Sequence, residues 1–173
     1  VDNDIRLTSG SGSQVIRNNP ADAADIKGVA QGGNAGNVTF SAASVTADSI
    51  TLSSGSGGVG SNRDIGLSSD NGKGGSAGDI KLDVTENVGV NVFNVTGNNG
   101  GQGGDGDSAT STRGGNGGVS GAFDLKIGQN LNADTVNVHA GNGASGGNNL
   151  GGNGGNGSGG QLTVGQNLTG KTL

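Results

Sequence analysis

The stretch from Gly100 to Asp107 reads GGQGGDGD, the one place where residue types and spacing could build a cation site. In glycine-aspartate repeats of this kind, carboxylates and turn carbonyls from successive coils of chain bind Ca²⁺. Here the position for a large apolar residue is Asp107, and the motif occurs once where stacked copies are needed. Asp105 and Asp107 are thus the calcium candidates, set against the plainer reading of a solvated loop with two acids. No other cofactor is implied. His139 is the only histidine, and no cysteine is present to share a metal with it. No nucleophile-elbow motif makes it part of a serine triad. The glycines form neither GxxxxGK(S/T) nor a GxGxxG followed by a convincing helix, so no phosphate cradle is read. Asn-X-Ser/Thr sequons at Asn37, Asn94, Asn156 and Asn167 are about as frequent as chance gives in so Asn-, Ser- and Thr-rich a chain. No catalytic residue emerges, and the chain reads as a non-enzyme.

The elements that would position any site are repeats. One apolar phrase recurs as VTFSAASVTADSITL from Val38, LDVTENVGVNVFNV from Leu82, LKIGQNLNADTVNV from Leu125 and LTVGQNLTGKTL from Leu162. Val45, Val88, Leu131 and Leu168 occupy one equivalent position, and Ile50, Phe93, Val136 and Leu173 another; both series step by 43, 43 and 37 residues. A partial copy opens the chain, where Ile5 aligns with Ile50. The apolar copies therefore lie near 1–12, 38–52, 80–95, 123–138 and 162–173, in a single repetitive domain over 1–173. Apolar residues pair with a period of two, as in Ile80/Leu82/Val84 and Val136/Val138, which is strand patterning with one face inward. Each copy reads as about three short strands, for example Leu125–Ile127, Leu131–Ala133 and Val136–Val138, with small-residue corners between. Strands this short bury little alone, but fixed-period copies stacked about 4.8 Å apart form continuous columns. The predicted fold is all-β, a repetitive parallel β-solenoid (β-helix) with essentially no α-helix. Val45, Val88, Leu131 and Leu168 form one predicted buried column. Asn87, Asn130 and Asn167 stand at one corner of each copy, where amide side chains can bond along the stack.

Composition supports a stacked fold. With 28% apolar residues and 41 glycines among 173, the chain cannot fill an ordinary globular core. The absence of cysteine excludes disulfide staples and thiolate metal sites. Fourteen acids and nine bases, a net charge of −5, are scattered without a basic stripe, which excludes nucleic acid as a partner. No apolar run reaches the roughly 18 residues that span a bilayer. The opening VDNDIRL has no basic start followed by an apolar stretch, so an exported chain would already have lost its signal.

Between the apolar copies, glycine recurs every third residue: Gly97/Gly100/Gly103/Gly106, Gly151/Gly154/Gly157/Gly160, Gly72/Gly75/Gly78 and Gly115/Gly118/Gly121. Three residues per turn is the polyproline II period, and such helices pack side by side only where glycine faces the neighbour. The inserts therefore read either as ordered polyproline II-like segments or as loops. Collagen is disfavoured because Pro20 is the only proline.

The paired aliphatics with GQNLNADTVNV-like corners resemble the repeats of filamentous haemagglutinin-type secreted adhesins. The likeness covers about a third of the chain, and the 43-residue spacing and abundant glycine depart from that family's shorter coils. It implies a right-handed parallel β-helix, secreted to a bacterial surface. The expectation is an extracellular structural fibre or adhesin, at the cell surface or in a matrix. Its expected partners are other copies of itself, stacked head to tail because Ile5 and Leu173 share one phase, and cell-surface glycans. Two alternatives are a carbohydrate-binding or polysaccharide-degrading β-helix and an ice-binding surface. The first needs clustered acids, which recur only loosely at Asp48, Asn91 and Asp134. The second needs a regular Thr array, and Thr39, Thr85 and Thr163 do not align.

Overall fold

Alternating burial along the strands divides the chain into a core side and a solvent side. In the computed structural model, which describes residues 3–13, 31–61, 72–106, 113–148 and 151–172, the elements are ten β-strands, with no helix among the described residues. They are β1 (Asp4–Thr8), β2 (Val38–Ala42), β3 (Val45–Thr46), β4 (Ser49–Ser53), β5 (Ile80–Val84), β6 (Val88–Thr96), β7 (Phe123–Ile127), β8 (Leu131–His139), β9 (Gly160–Val164) and β10 (Leu168–Thr169). In β5, Ile80, Leu82 and Val84 are buried while Lys81 faces solvent, as a half-buried strand requires.

Two sheets result, both parallel throughout. Sheet A runs β1-β4-β6-β8-β10, with β3 also pairing β6, and sheet B runs β2-β5-β7-β9. Neighbours in each sheet come from successive repeats, so each strand pairs with its own equivalent. Val45 stands opposite Val88, Val88 opposite Leu131, and Leu131 opposite Leu168. Ile5, Ile50, Phe93 and Val136 form a second row. These are the residues that align in the sequence. A one-residue slip would turn every apolar side chain outward, which pins the register.

Both sheets contribute to one apolar core that includes Leu82, Val84 and Leu125 from sheet B and Val88, Phe93 and Leu131 from sheet A. Val45, Val88 and Leu131 are buried, but Leu168 is 43% exposed. The expected column is therefore dry over three positions and open at the fourth, because β10 lies at the margin of sheet A with only β8 against it. Leu173, expected in the neighbouring column, lies outside the described residues. Where Phe123 pairs with Gly160, its ring fills the space that a side chain at Gly160 would need.

The expected division of each copy into three strands is corrected in two repeats. β6 and β8 run unbroken for nine residues, although their inward alternation shifts phase between Val90 and Phe93 and between Ala133 and Val136. Both strands shift together, since Val90 pairs with Ala133 and Val92 with Thr135 at one unchanged offset, so the register is kept through the shift. The carbonyl of Asp48 accepts from the backbone N–H of both Asn91 and Val92, at 3.0 and 3.2 Å, and that of Asp134 accepts from both Lys171 and Thr172. The first repeat keeps a break at this point, between β3 and β4.

The column makes opposite demands at two equivalent positions. Leu131→Asp should lower unfolding stability by about 3–5 kcal/mol through burial of an unpaired charge. Leu168→Asp should change it by less than about 1 kcal/mol, and urea denaturation of both variants checks the contrast.

Candidate functional site

Glycine-rich segments connect the two sheets, and each has a fixed place in the repeat. Outgoing segments 9–13, 54–61, 97–106 and 140–148 follow β1, β4, β6 and β8; returning segments 31–37, 72–79, 113–122 and 151–159 precede β2, β5, β7 and β9. These segments bury too little apolar surface to be held by it, so their order rests on backbone hydrogen bonds.

Those bonds repeat every three residues, the polyproline II period. Gly97, Gly100, Gly103 and Gly106 donate their N–H groups to the carbonyls of His139, at the end of β8, and of Asn142, Ser145 and Asn148 in the outgoing segment that follows it, at 2.7–3.1 Å. Gly72, Gly75 and Gly78 donate instead to Ser61, Gly58 and Gly55 in the adjacent outgoing segment. Among the described residues the glycine-rich segments are thus hydrogen-bonded to one another from segment to segment. From Gly74 to Ile80 every N–H has a partner. Gly74, Ala77 and Ile80 donate to the next returning segment, and Gly75 and Gly78 to the outgoing layer. Ser76 and Asp79 donate to the side-chain carbonyls of Asn34 and Asn37 in the preceding repeat, at 2.8 and 2.9 Å. One N–H in three is thus satisfied by an Asn side chain one repeat back.

The same device recurs along the array. Asp79 Oδ1 accepts from Ala122 N–H, Asn99 Oδ1 from Asn142 N–H and Asn116 Oδ1 from Asn153 N–H, at 2.8–3.0 Å. Asp105, a calcium candidate, belongs to this set: its Oδ1 accepts from the N–H of Asn148 at 2.8 Å. Among the described residues no three His, Asp or Glu side chains converge to hold a metal ion. Asp107 lies outside the described residues.

Glycine is demanded wherever these layers approach. A Cβ at Gly74 would overlap the carbonyl oxygen of Gly101, and one at Gly101 that of Gly58. In the last returning segment the phase differs from the one the sequence suggests. Gly152 and Gly155 are the packed glycines there, donating to Gly147 and Ala144. Gly157 has open space where its Cβ would be, and at Gly154 the nearest atom is 3.7 Å away. The GGNGGNG run places glycine in both phases, so spacing alone could not distinguish them.

At the corners the amide ladder is continuous. Asn130 Nδ2 donates to Asn87 Oδ1 at 2.8 Å, and Asn167 Nδ2 donates to Asn130 Oδ1 at 2.9 Å. In the first repeat Ser44 holds the equivalent position, and its hydroxyl donates to Glu86 at 2.7 Å. Sequence reasoning missed a second ladder, in which Asn137 Nδ2 donates to Asn94 Oδ1 at 2.8 Å. Its signal was the matched phrases Phe93-Asn94-Val95 and Val136-Asn137-Val138.

The outer face of sheet A carries a groove of about 370 Å³ lined by Thr46, Asp48, Asn91, Asn132 and Asp134 among others. Its acids already bond across repeats. Asp48 Oδ2 accepts from Asn3 N–H at 3.1 Å, and Asp134 Oδ1 lies 2.9 Å from Lys171 Nζ. His139 is exposed at the end of β8, and its carbonyl serves Gly97. On the outer face of sheet B, Lys81 pairs with Asp124 and Asp83 with Lys126 in the strand register, so opposite charges alternate between repeats. The hydrogen bond from Lys126, followed by that from Gln161, holds the Asp124 carboxyl below its usual pKa. A lowered folded pKa makes this exposed contact a stabilising one above the ordinary carboxylate range, and it is lost as pH falls through the lowered value.

No family model matches the chain, and no curated protein or solved structure matches it either.

Two measurements test the array. Gly101→Ala should lower the melting temperature clearly, whereas Gly157→Ala should be neutral or stabilise by up to about 1 kcal/mol through the unfolded state. Deamidation is the second readout, because succinimide closure requires the N–H of the residue after Asn to be free. Gly117 N–H is bound to Asn153 O, while Gly154 N–H has no partner among the described residues. Peptide mass mapping after mildly alkaline incubation should therefore find isoaspartate at Asn153 well before Asn116.

Proposed function

We propose that the chain is a load-bearing element of an extracellular fibre, in which the repeats wind as a parallel β-solenoid flanked by a bundle of polyproline II-like segments. One observation carries this reading: sheet ladders, glycine layers and Asn ladders all bond from each repeat to the next. Such an arrangement puts cohesion along a single axis, which is the requirement on a filament. The described polar groups that could have formed a catalytic or metal cluster, Asp48, Asp134 and Asp105, are instead joined to neighbouring repeats.

The resemblance to secreted haemagglutinin-type adhesin repeats supports a bacterial cell surface or matrix as the location. The same fibre could present its polar Asn, Ser and Thr faces to cell-surface glycans. Copies of the chain stack head to tail in this reading, since each repeat is a template for the next.

Light scattering of the purified chain across a concentration series, with electron microscopy of the same samples, tests the proposal. Filaments whose length grows with concentration are expected. A folded monomer, unchanged up to high concentration, would overturn it.

A further inference from the structure

The row of Asn and Asp side chains that links the returning segments is broken at one position. Elsewhere in that row a side-chain oxygen of one repeat accepts the N–H of its counterpart in the next. Asn34 serves Ser76, Asn37 serves Asp79, Asp79 serves Ala122 and Asn116 serves Asn153, at 2.8–3.0 Å. The strand register makes Lys73 the counterpart of Asn116, 43 residues apart like Ile80 and Phe123. A lysine side chain has three donors and no acceptor, so it cannot serve an N–H. The carbonyl of Asn116 accepts from Gly74, but its own N–H has no partner among the described residues.

A cavity of about 210 Å³ lies at this break, lined by Lys73, Arg113, Gly114, Gly115, Asn116 and Asn153 among others. Lys73 stands beside Asn116 in the neighbouring repeat, about 4.8 Å away along the stack. Arg113 precedes Asn116 by three residues, one polyproline II turn or about 9 Å, and so shares its phase. No carboxylate lines the cavity, and neither cation has an ion-pair partner among the described residues. Val119 N–H, opposite Ser76, is open as well among the described residues, but it borders no part of this cavity.

We propose that this cavity binds a carboxylate, carried by an acidic sugar of the uronate class. One carboxylate oxygen takes the N–H of Asn116, the place that the Asp79 carboxylate takes on Ala122. The Lys73 ammonium and the Arg113 guanidinium flank it with positive charge, and the planar fork of arginine matches two carboxylate oxygens. Asn116 Nδ2 and the side-chain amide of Asn153 carry no bond among the described residues, and they offer donors and an acceptor to ring hydroxyls. The carboxylate assignment stands on these groups alone; the sugar rests on the glycan-facing surface read above.

Ligand-observed NMR reads the site on monomer or filament alike, with galacturonate, galactose, acetate and sulfate as probes. Galacturonate should bind and neutral galactose should not. Acetate should compete with galacturonate, and added salt should weaken both, because the two cations are exposed. Lys73→Asn supplies the missing acceptor from within the chain, as Asn34 does for Ser76. It should weaken galacturonate by about tenfold or more while leaving the melting temperature unchanged or raised. Arg113→Gln leaves the N–H of Asn116 open and should weaken galacturonate by about three- to tenfold. Undiminished binding to both variants, or equal binding of galactose, overturns the site. Displacement of galacturonate by sulfate at lower concentration than by acetate overturns the carboxylate assignment, and acetate binding as tightly as galacturonate overturns the sugar. None of these outcomes depends on whether filaments form, so the fibre reading stands or falls separately.

Discussion

A glycine-rich backbone that has almost nothing to bury must still satisfy its N–H and C=O groups, and the rest of the structure depends on how it does so. Ordering glycine costs more conformational entropy than ordering any other residue. That cost is offset only if nearly every polar group of the ordered segment finds a partner. In the segment from Gly74 to Ile80 all seven N–H groups do, by three routes that repeat every three residues. Two routes lead to backbone carbonyls in adjacent segments, and the third to an Asn side chain in the preceding repeat. Two of the three routes need the equivalent segment of a neighbouring repeat, so this order depends on stacking repeat upon repeat.

The sheets supply what the glycine layers lack. Their short strands bury a line of aliphatic residues and Phe93, with opposite charges alternating on the outer face of sheet B rather than accumulating. Parallel in-register pairing would stack like on like if the repeats were identical. The exchange of Lys81 for Asp124 and of Asp83 for Lys126 avoids this without disturbing the apolar side. Register is thereby set by the columns and transmitted to the glycine layers, whose own bonds would tolerate a shift of three residues. The Asn corners tie one repeat to the next where the chain turns from sheet B to sheet A.

The mechanical role we propose rests on interactions that are aligned rather than convergent. Enzymes gather unlike groups around a point, whereas here like groups are spread along a line. Carboxylates that could have served chemistry act as acceptors for backbone amides or as ion-pair partners between repeats. In that reading, strength along the axis scales with the number of repeats joined.

The sequence by itself determined the columns and their pairing. Val45, Val88 and Leu131, or Ile50, Phe93 and Val136, carry their phase in their side chains, since an aliphatic residue on the wrong face would lie in water. It also marked Asn87, Asn130 and Asn167, whose amides recur at one offset, and it located β1 against β4 from the match of Ile5 with Ile50. What it could not decide concerned groups without such a signature. Glycine has no side chain to record a facing, so whether Gly154 or Gly155 meets a neighbour depends on where a carbonyl of another segment lies. Asp105 reads in the sequence as a cation candidate, since a carboxylate reads the same whether it binds a metal or an amide; only the structure sets its Oδ1 against the N–H of Asn148. The merging of two short strands into β6 and β8, and the exposure of Leu168, likewise depended on neighbours in space. Local pattern encodes which face a side chain must hide, while the partner of a backbone group is chosen by the stack as a whole.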